Sequence, residues 1–363
     1  MKLIKNLSCG IFILLLFILL IGGYFIFDYF KNSSQENQIA IDYHKNQKEI
    51  VIRVLKGEIL DNVITQLYEK KLISNQLYFR IFTKINQFTE IQAGLYKIKP
   101  GADYEELMYS LRAPFELELE IFFPEGLRMD EVAERITEQF NKQSLNELEI
   151  NFDKAEFLTI SENPHGQISH PVLNFIPVGK SLEGFLFPDT YFFPEDASTK
   201  DVIFKLLDNF EIKLQSAKKD FKGIPDLTLT DYEIITLSSI VEKEGTGENE
   251  DNAKIADVFY KRLKGLNGPP KLESDVVILY QLKDWKATIY QTDLDNTEYK
   301  FNSHVNEGLP PTPICNMGLI SLTSAFHPTP NDYLFFLADE NGKVYYGRDY
   351  NEHLINISKY LKN

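Results

Sequence analysis

An uncharged apolar run near the N-terminus limits how this chain can fold. From Leu7 to Phe27 the sequence LSCGIFILLLFILLIGGYFIF carries no charged side chain. Roughly 21 residues at about 1.5 Å per residue cross the roughly 30 Å hydrocarbon core of a bilayer, so the run predicts one transmembrane helix. The run is longer than the apolar region of a usual signal peptide, and no small-x-small cleavage site follows it directly, although a cleaved signal peptide is the alternative.

The flanking charges predict the orientation of this helix. Lys2 and Lys5 precede it, and the segment that follows, residues 28–48, opens with one acidic and one basic residue. Because the more positive flank stays in the cytoplasm, we expect a cytoplasmic tail over residues 1–6 and the remaining chain on the outer side of the membrane. Residues 28–48 are polar and rich in Asn, Gln and Lys, which is typical of a linker.

Composition excludes several classes of protein. The chain has 363 residues, of which 44% are hydrophobic, enough for two or three ordinary cores. Its 38 Lys and Arg residues against 53 Asp and Glu residues give a net charge of −15, which argues against a general nucleic-acid partner. The two cysteines, Cys9 and Cys315, belong to no zinc motif, and a disulfide between them is excluded if Cys9 lies in a membrane.

Hydrophobic patterns divide the remaining chain into two parts. Over residues 49–112, EIVIRVLKG alternates like a strand, two segments have helical spacing, AGLYKIKP is a short strand, and a helix opens at Asp103. This part is predicted to be a compact βααβα module. Residues 113–363 contain a small α+β unit, helical patterns from Asp201 onward, and a closing strand pair around DYLFFLAD and KVYYG. The predicted fold class is therefore α+β, with a helix-rich second part.

One helix of the second part carries candidate catalytic carboxyl groups. The segment DYEIITLSSIVEKEGTG predicts a helix over residues 232–244, with Asp231 as its cap and glycines after its end. At about 100° per residue, Glu244 shares the apolar face of this helix and Glu242 does not. A carboxyl group on an apolar face is desolvated, which raises its pKa and keeps it protonated, as a general acid requires. A solvated surface is the alternative interpretation of the same EKE triplet.

Four motifs after the apolar run resemble the YceG-like family of endolytic murein transglycosylases. They are SIVEKEG (239–245), LEGFLFPDTY (182–191), LESDVVILY (272–280) and GLPPTPI (308–314). Weaker matches also follow the family order: IQAGLYKI (91–98), FPEGLRMDEVA (123–133), SLTSAFHP (321–328) and NEHL (351–354). The resemblance implies a LysM-like module over residues 49–112 and a YceG-like, lysozyme-like catalytic domain with a small α+β insertion over residues 113–363.

The resemblance also implies a reaction. In this family a glutamate of the EKE triplet is catalytic, which by position is Glu244, with Glu242 as the fallback. The implied reaction cleaves the β-1,4 bond between N-acetylmuramic acid and N-acetylglucosamine inside glycan strands and leaves 1,6-anhydromuramyl ends. Because the muramyl 6-hydroxyl is the nucleophile, one protein carboxyl group suffices, and no metal or organic cofactor is expected.

The implied location is the bacterial plasma membrane. The implied substrate is the peptidoglycan glycan strand, and family context suggests penicillin-binding proteins and glycan polymerases as further partners. Two other functions remain open: a glycan-binding scaffold without catalysis, and a muramidase that uses water and a second carboxylate.

Four further residues are candidates for substrate contact. Asn302 can bond an acetamido group or a sugar hydroxyl, Ser274 and Asp275 could line the cleft, and Tyr280 could pack against a sugar face. The alternatives are structural, because Ser274 and Asp275 can cap the helix DVVILYQL and Tyr280 can belong to the core. Glu183, within LEGFLFPDTY, is expected to support the structure.

The chain departs from the family pattern at several positions. The usual Tyr-Asn-Thr-Tyr segment is replaced by residues 301–304, where Phe301 and His304 stand in place of the tyrosines. Met317 stands in place of a proline, and Val344 in place of a histidine. We expect these differences to change details of substrate contact and not the general acid.

Overall fold

The computed structural model describes residues 17, 20–24, 28, 49–115, 117–143, 151–194, 196–266 and 268–361. The predicted cytoplasmic tail, most of the predicted membrane helix over residues 7–27, and the linker after Asp28 lie outside the described residues. Within the described residues, no helix is both long and apolar enough to cross a membrane. The chain divides into two compact units, the first ending at Leu117 and the second beginning at Glu118.

Over residues 49–115, the first unit contains one antiparallel strand pair and three helices. Strand β1 pairs with strand β2 in a register that sets Ile50 opposite Ile98 and Val54 opposite Gly94. Asp103 caps the last helix by accepting hydrogen bonds from the backbone N–H groups of the two residues that follow its first residue. The predicted order of strand, helix, helix, strand and helix is confirmed. The elements are β1 (Ile50–Val54), α1 (Leu60–Glu69), α2 (Gln76–Ile85), β2 (Gly94–Ile98) and α3 (Tyr104–Ser110).

Apolar side chains from all five elements form the core of the first unit. The strands contribute Ile52 and Ile98, and the helices contribute Val63, Phe79 and Leu107, each at most 1% exposed. This mutual burial explains why short elements, which are marginal in isolation, form here.

The second unit also mixes helices with short strands. Its described strands form two antiparallel pairs, β3 with β4 and β5 with β6. The strands are β3 (Glu118–Phe122), β4 (Thr190–Pro194), β5 (Phe335–Ala338) and β6 (Val344–Gly347). A 3₁₀ helix covers Pro171–Phe175. The helices are α4 (Met129–Gln143), α5 (Lys154–Glu162), α6 (Thr199–Ala217), α7 (Asp231–Glu244), α8 (Asn249–Leu263), α9 (Asp275–Leu282), α10 (Gln291–Leu294), α11 (Leu319–Phe326) and α12 (Tyr350–Tyr360).

Helix α7 is the most deeply buried helix of the site region. It packs against α8 and α11, and Tyr232 and every residue from Ile234 to Val241 are buried. Ile255 and Phe259 of α8 and Leu322 of α11 are fully buried on its neighbours. This packing fixes the end of α7, where the two candidate glutamates lie. The α+β class and the closing strand pair are confirmed.

The predicted cap of α7 is wrong by one residue. Thr230, and not Asp231, occupies the cap position, where its hydroxyl accepts a hydrogen bond from the Glu233 N–H (3.3 Å) and Glu233 accepts one from the Thr230 N–H (2.7 Å). Threonine followed three residues later by glutamate is the capping-box pattern, which satisfies two backbone donors reciprocally. Asp231 is the first helical residue and instead forms an ion pair with Lys218.

Candidate active site around Glu244

The last residue of α7 carries the candidate acid. Oε1 of Glu244 accepts a hydrogen bond from the Ser274 hydroxyl at 2.7 Å. Gly245 ends the helix, and its N–H bonds to the Val241 carbonyl at 2.8 Å. A Cβ at position 245 would lie 2.2 Å from Oδ1 of Asn252, so only glycine fits this close approach between α7 and α8.

The surroundings of Glu244 raise the pKa of its carboxyl group. Burial is the largest influence, and the negative charge of Asp275 adds to it. The hydrogen bond from Ser274, the positive charge of Arg262 and an electrostatic interaction with His304 act in the opposite direction without cancelling the increase. The end of a helix also disfavours a negative charge. Glu244 therefore holds its proton to a higher pH than an exposed glutamate, as the helical face predicts.

The fallback residue, Glu242, has a different environment. Its Oε2 accepts hydrogen bonds from the Gly318 N–H (3.1 Å) and from the Ser321 hydroxyl (2.7 Å), both at the start of α11. The same Ser321 hydroxyl accepts a bond from the Asn252 amide at 3.0 Å. Glu242 therefore joins the end of α7 to the start of α11 and serves the packing of the helices.

Glu125 lies next to this junction. A Cβ at Gly318 would lie 1.8 Å from its Oε1, so this glycine lets the carboxyl group approach the backbone. Burial, and then the charge of Glu242, raise the pKa of Glu125. Glu125 lies in the segment FPEGLRMDEVA, whose pattern did not predict its electrostatic interaction with Glu242.

Two of the predicted substrate-contact residues lie beside Glu244. Ser274 occupies the cap position of α9 but makes no side-chain capping bond, because its hydroxyl bonds to Glu244. Asp275, the next residue, lies 2.8 Å from Nε2 of His304. His304, at a position where the resemblance implies a tyrosine, is thus a partner of Asp275.

The structure places Asn302 inside its own loop. The residue is fully buried, and its amide donates hydrogen bonds to the carbonyl oxygens of Asp293, Leu294 and Asn296 at 2.9, 2.9 and 3.0 Å. Its own oxygen accepts a bond from the His304 N–H at 3.0 Å. Because its polar atoms are bonded within the protein, these contacts favour a supporting role for Asn302 in this loop, and its contact with a sugar stays a prediction.

Tyr280 lies at the far end of α9 from Ser274. Six residues at about 1.5 Å each separate them along the helix axis by about 9 Å. The Tyr280 hydroxyl donates to Oε2 of Glu183 at 3.1 Å, and its ring centre lies 4.9 Å from that of Phe301. Tyr280 is therefore not in contact with Glu244 and belongs to a neighbouring cleft.

This neighbouring cleft has a volume of about 410 Å³. Glu183 lies in its wall, and burial raises the pKa of this carboxyl group to about 8, although the Met129 N–H donates to it at 3.0 Å. The expected supporting role of Glu183 agrees with these contacts. The remaining lining includes Arg128, Asp130, Leu158, Glu162, Lys283 and Phe301.

The structure is thus that of an α+β protein whose second unit has a partly buried glutamate, Glu244, at the end of helix α7. The chain matches the YceG-like family over residues 52–359. Because this match covers most of its length, the chain belongs to the YceG-like family.

Relatives and a solved structure agree with this assignment. The chain is 29% identical to an endolytic murein transglycosylase of Bacillus subtilis strain 168, covering 94% of this chain and 91% of that protein. It is 28% identical to an endolytic murein transglycosylase of Streptococcus pneumoniae serotype 2 strain D39, covering 96% of this chain but 64% of that longer protein. A crystal structure of a yceG-like protein from Listeria monocytogenes superposes with a TM-score of 0.53 at 28% identity, covering 85% of this chain and 99% of that one.

Proposed function

We propose that this chain is an endolytic murein transglycosylase that cleaves peptidoglycan glycan strands with Glu244 as its acid and base. The observation that carries the proposal is the Glu244 carboxyl group, held by Ser274 at 2.7 Å with a pKa raised by burial. The relatives named endolytic murein transglycosylase support it independently.

The proposed reaction returns Glu244 to its starting state. Glu244 donates its proton to the glycosidic oxygen as the bond from this oxygen to the anomeric carbon breaks. The carboxylate then accepts the proton of the muramyl 6-hydroxyl while that oxygen bonds to the anomeric carbon. The products are a free 4-hydroxyl and a 1,6-anhydromuramyl end, and no water is consumed.

The contacts of Glu244 suit both halves of this cycle. Burial favours the protonated acid before cleavage. After the proton has left, the Ser274 hydroxyl and the nearby positive charge of Arg262 stabilise the carboxylate. One group can therefore alternate between acid and base.

A muramidase that uses water would need a second carboxylate near Glu244. Among the described residues, Asp275 carries a charge that acts on the pKa of Glu244, and it is paired with His304 at 2.8 Å. If Asp275 were a nucleophile or base, Asp275→Asn would abolish cleavage. In the transglycosylase proposal this variant retains cleavage, because the substrate supplies the nucleophile.

Variants of the two glutamates test the proposed acid. Purified glycan strands are incubated with the full chain in detergent, and the fragments are separated by length. We expect internal cleavage by the native chain and by Glu242→Gln, and none by Glu244→Gln. Intact strands with folded native protein would instead favour a glycan-binding scaffold.

We propose a single-pass anchor in the bacterial plasma membrane with the bulk of the chain outside, on the basis of the uncharged run from Leu7 to Phe27 and its lysine flank. Protease added to intact, wall-free cells would then digest residues 49–361 and spare the N-terminus. Digestion only after lysis would contradict this orientation.

We also propose that penicillin-binding proteins and glycan polymerases are partners of this chain. We propose further that the first unit is LysM-like and contacts N-acetylglucosamine chains. The βααβα order of its elements supports the likeness, while the glycan contact rests on analogy. Binding of glycan strands by the Glu244→Gln chain, lost on deletion of residues 49–112, would support it, and unchanged binding would oppose it.

A further inference from the structure

The residue before Ser274 has an unusual backbone. Glu273 has a φ of +52°, in the left-handed region that residues with a side chain rarely adopt. Such conformations cost free energy and persist where surrounding contacts impose them. Because Glu273 is exposed, its own side chain does not account for this conformation.

Two neighbouring segments hold this turn in place. The Glu273 N–H donates to the Ser303 carbonyl at 3.1 Å, and its own carbonyl accepts from Nη1 of Arg262 at 3.3 Å. The same Nη1 also donates to the Leu272 carbonyl. The hydroxyl of Ser303 accepts from the Ser274 N–H and donates to the Ser274 carbonyl, both at 2.9 Å.

Arg262 is anchored on its other side as well. Its Nε and Nη2 both donate to the Leu334 carbonyl at 3.4 Å, and the residue is 7% exposed. The guanidinium group therefore bridges the segment before β5 and the turn before α9. A planar group with several fixed donors suits this task, whereas a lysine offers one flexible ammonium.

The charge of Arg262 also acts on the active site. Its guanidinium lowers the pKa of Glu244, against the larger effect of burial. Among the described residues, Asp275 of α9 and His304 of the following loop also act on the pKa of Glu244. Glu273 and His353 are further groups that interact with Arg262.

We infer that Arg262 is a positioning residue for Glu244: it fastens the left-handed turn at Glu273, which holds the Ser274 hydroxyl on the acid. Its charge also stabilises the carboxylate that Glu244 becomes after giving up its proton. This inference rests on the proposed function of Glu244 and adds the device that orients it.

Two variants separate the geometry of Arg262 from its charge. Arg262→Lys keeps the positive charge but loses the planar guanidinium group with its fixed donors, whereas Arg262→Met loses both. We expect each to lower kcat on glycan strands at least tenfold with KM within twofold. We expect only Arg262→Met to move the high-pH limb of kcat upward, because without the cation Glu244 keeps its proton to a higher pH. Arg348→Met, at an exposed arginine, is the matched control and keeps the native profile.

The exposed position 273 tests the turn without disturbing buried residues. Glycine adopts a positive φ freely, so Glu273→Gly retains native kcat, whereas the β-branched Glu273→Val opposes the turn and lowers kcat. Circular dichroism checks that both are folded. Native kcat in Glu273→Val, or native kcat in both Arg262 variants, would overturn the inference.

Failure of the proposed function would be visible separately. If the native chain does not cleave strands, or if Glu244→Gln cleaves like the native chain, the proposed function is wrong. The positioning effect is then read from infrared titration of the Glu244 carboxyl group, using Glu244→Gln as the difference reference. A higher pKa of Glu244 in Arg262→Met than in Arg262→Lys supports the inference, and equal values overturn it.

Discussion

Glu242 accepts a 2.7 Å hydrogen bond from the Ser321 hydroxyl, and this contact separates the roles of the two glutamates in the EKE triplet. One carboxylate fastens α7 to α11, while Glu244, two residues later, faces Ser274. A helix turns about 200° over two residues, so neighbouring glutamates can serve opposite faces.

Removing the Glu242 carboxylate should therefore weaken the fold. We expect Glu242→Ala to lower the free energy of unfolding by about 1–3 kcal/mol, because it leaves the Gly318 N–H and the Ser321 hydroxyl without this partner. Urea unfolding measures the change, with Glu138→Ala at an exposed helical position as control. Equal stability of native chain and Glu242→Ala would show that the junction contributes nothing.

The Ser274 hydroxyl should affect both the pKa and the catalytic activity of Glu244. Its hydrogen bond lowers the pKa of Glu244, so Ser274→Ala should raise that pKa and move the high-pH limb of activity upward. We also expect kcat to fall about tenfold to hundredfold, since a hydrogen bond to the forming carboxylate is lost. A pH profile of kcat measures both effects, and Ser274→Thr, which keeps a hydroxyl, should restore much of the activity. An unchanged profile in the alanine variant would refute this role.

Glu183 should make stability depend on pH. Its pKa in the folded chain is about 8, against an ordinary value of 4.5. The folded state therefore holds this proton while the unfolded state loses it, so stability is full below about pH 4.5 and decreases as pH rises to about 8. At about 1.4 kcal/mol per pKa unit, the loss is at most about 5 kcal/mol.

Replacing Glu183 by its neutral isostere tests this assignment. We expect the native chain to lose more unfolding free energy between pH 5 and pH 8 than Glu183→Gln, because over this range the carboxyl group is ionised in the unfolded chain but keeps its proton in the folded chain. Urea unfolding at both pH values gives the difference. Parallel pH dependence in the two proteins would mean that Glu183 is ionised in the folded chain.

Replacing Asn302 tests whether this residue supports its loop or contacts the sugar. We expect Asn302→Ala to lower the unfolding free energy by about 1–3 kcal/mol, because its buried carbonyl partners lose their donor. In the folded fraction of this variant, KM for glycan strands should stay within twofold of the native value. Asn306→Ala, at an exposed asparagine nearby, is the control. A several-fold higher KM with native stability would restore the predicted sugar contact.

The helical wheel and short-range patterns identified the local features of the site. Counting residues along one helix sufficed to separate Glu244 from Glu242, since that separation depends on helix geometry alone. The cap at Thr230 was missed although its pattern with Glu233 is local, because Asp231 is itself a common capping residue.

Contacts between distant segments could not be read from spacing. The Arg262 bridge to the Leu334 carbonyl joins residues 72 positions apart, and Tyr280 meets Glu183 across 97 positions. Sugar contact and loop support both stayed open for Asn302, because an amide in a loop motif can bond either a ligand or the backbone. Only the folded loop decides between these partners.

The chemistry of the new strand end tests the central claim most directly. Glycan strands are cleaved by the native chain in water enriched in heavy oxygen, and the fragments are weighed by mass spectrometry. The proposed mechanism predicts muramyl ends that are one water molecule lighter than reducing ends and carry no heavy oxygen, because the 6-hydroxyl is the nucleophile. Reducing ends that contain heavy oxygen would contradict it and identify a hydrolase.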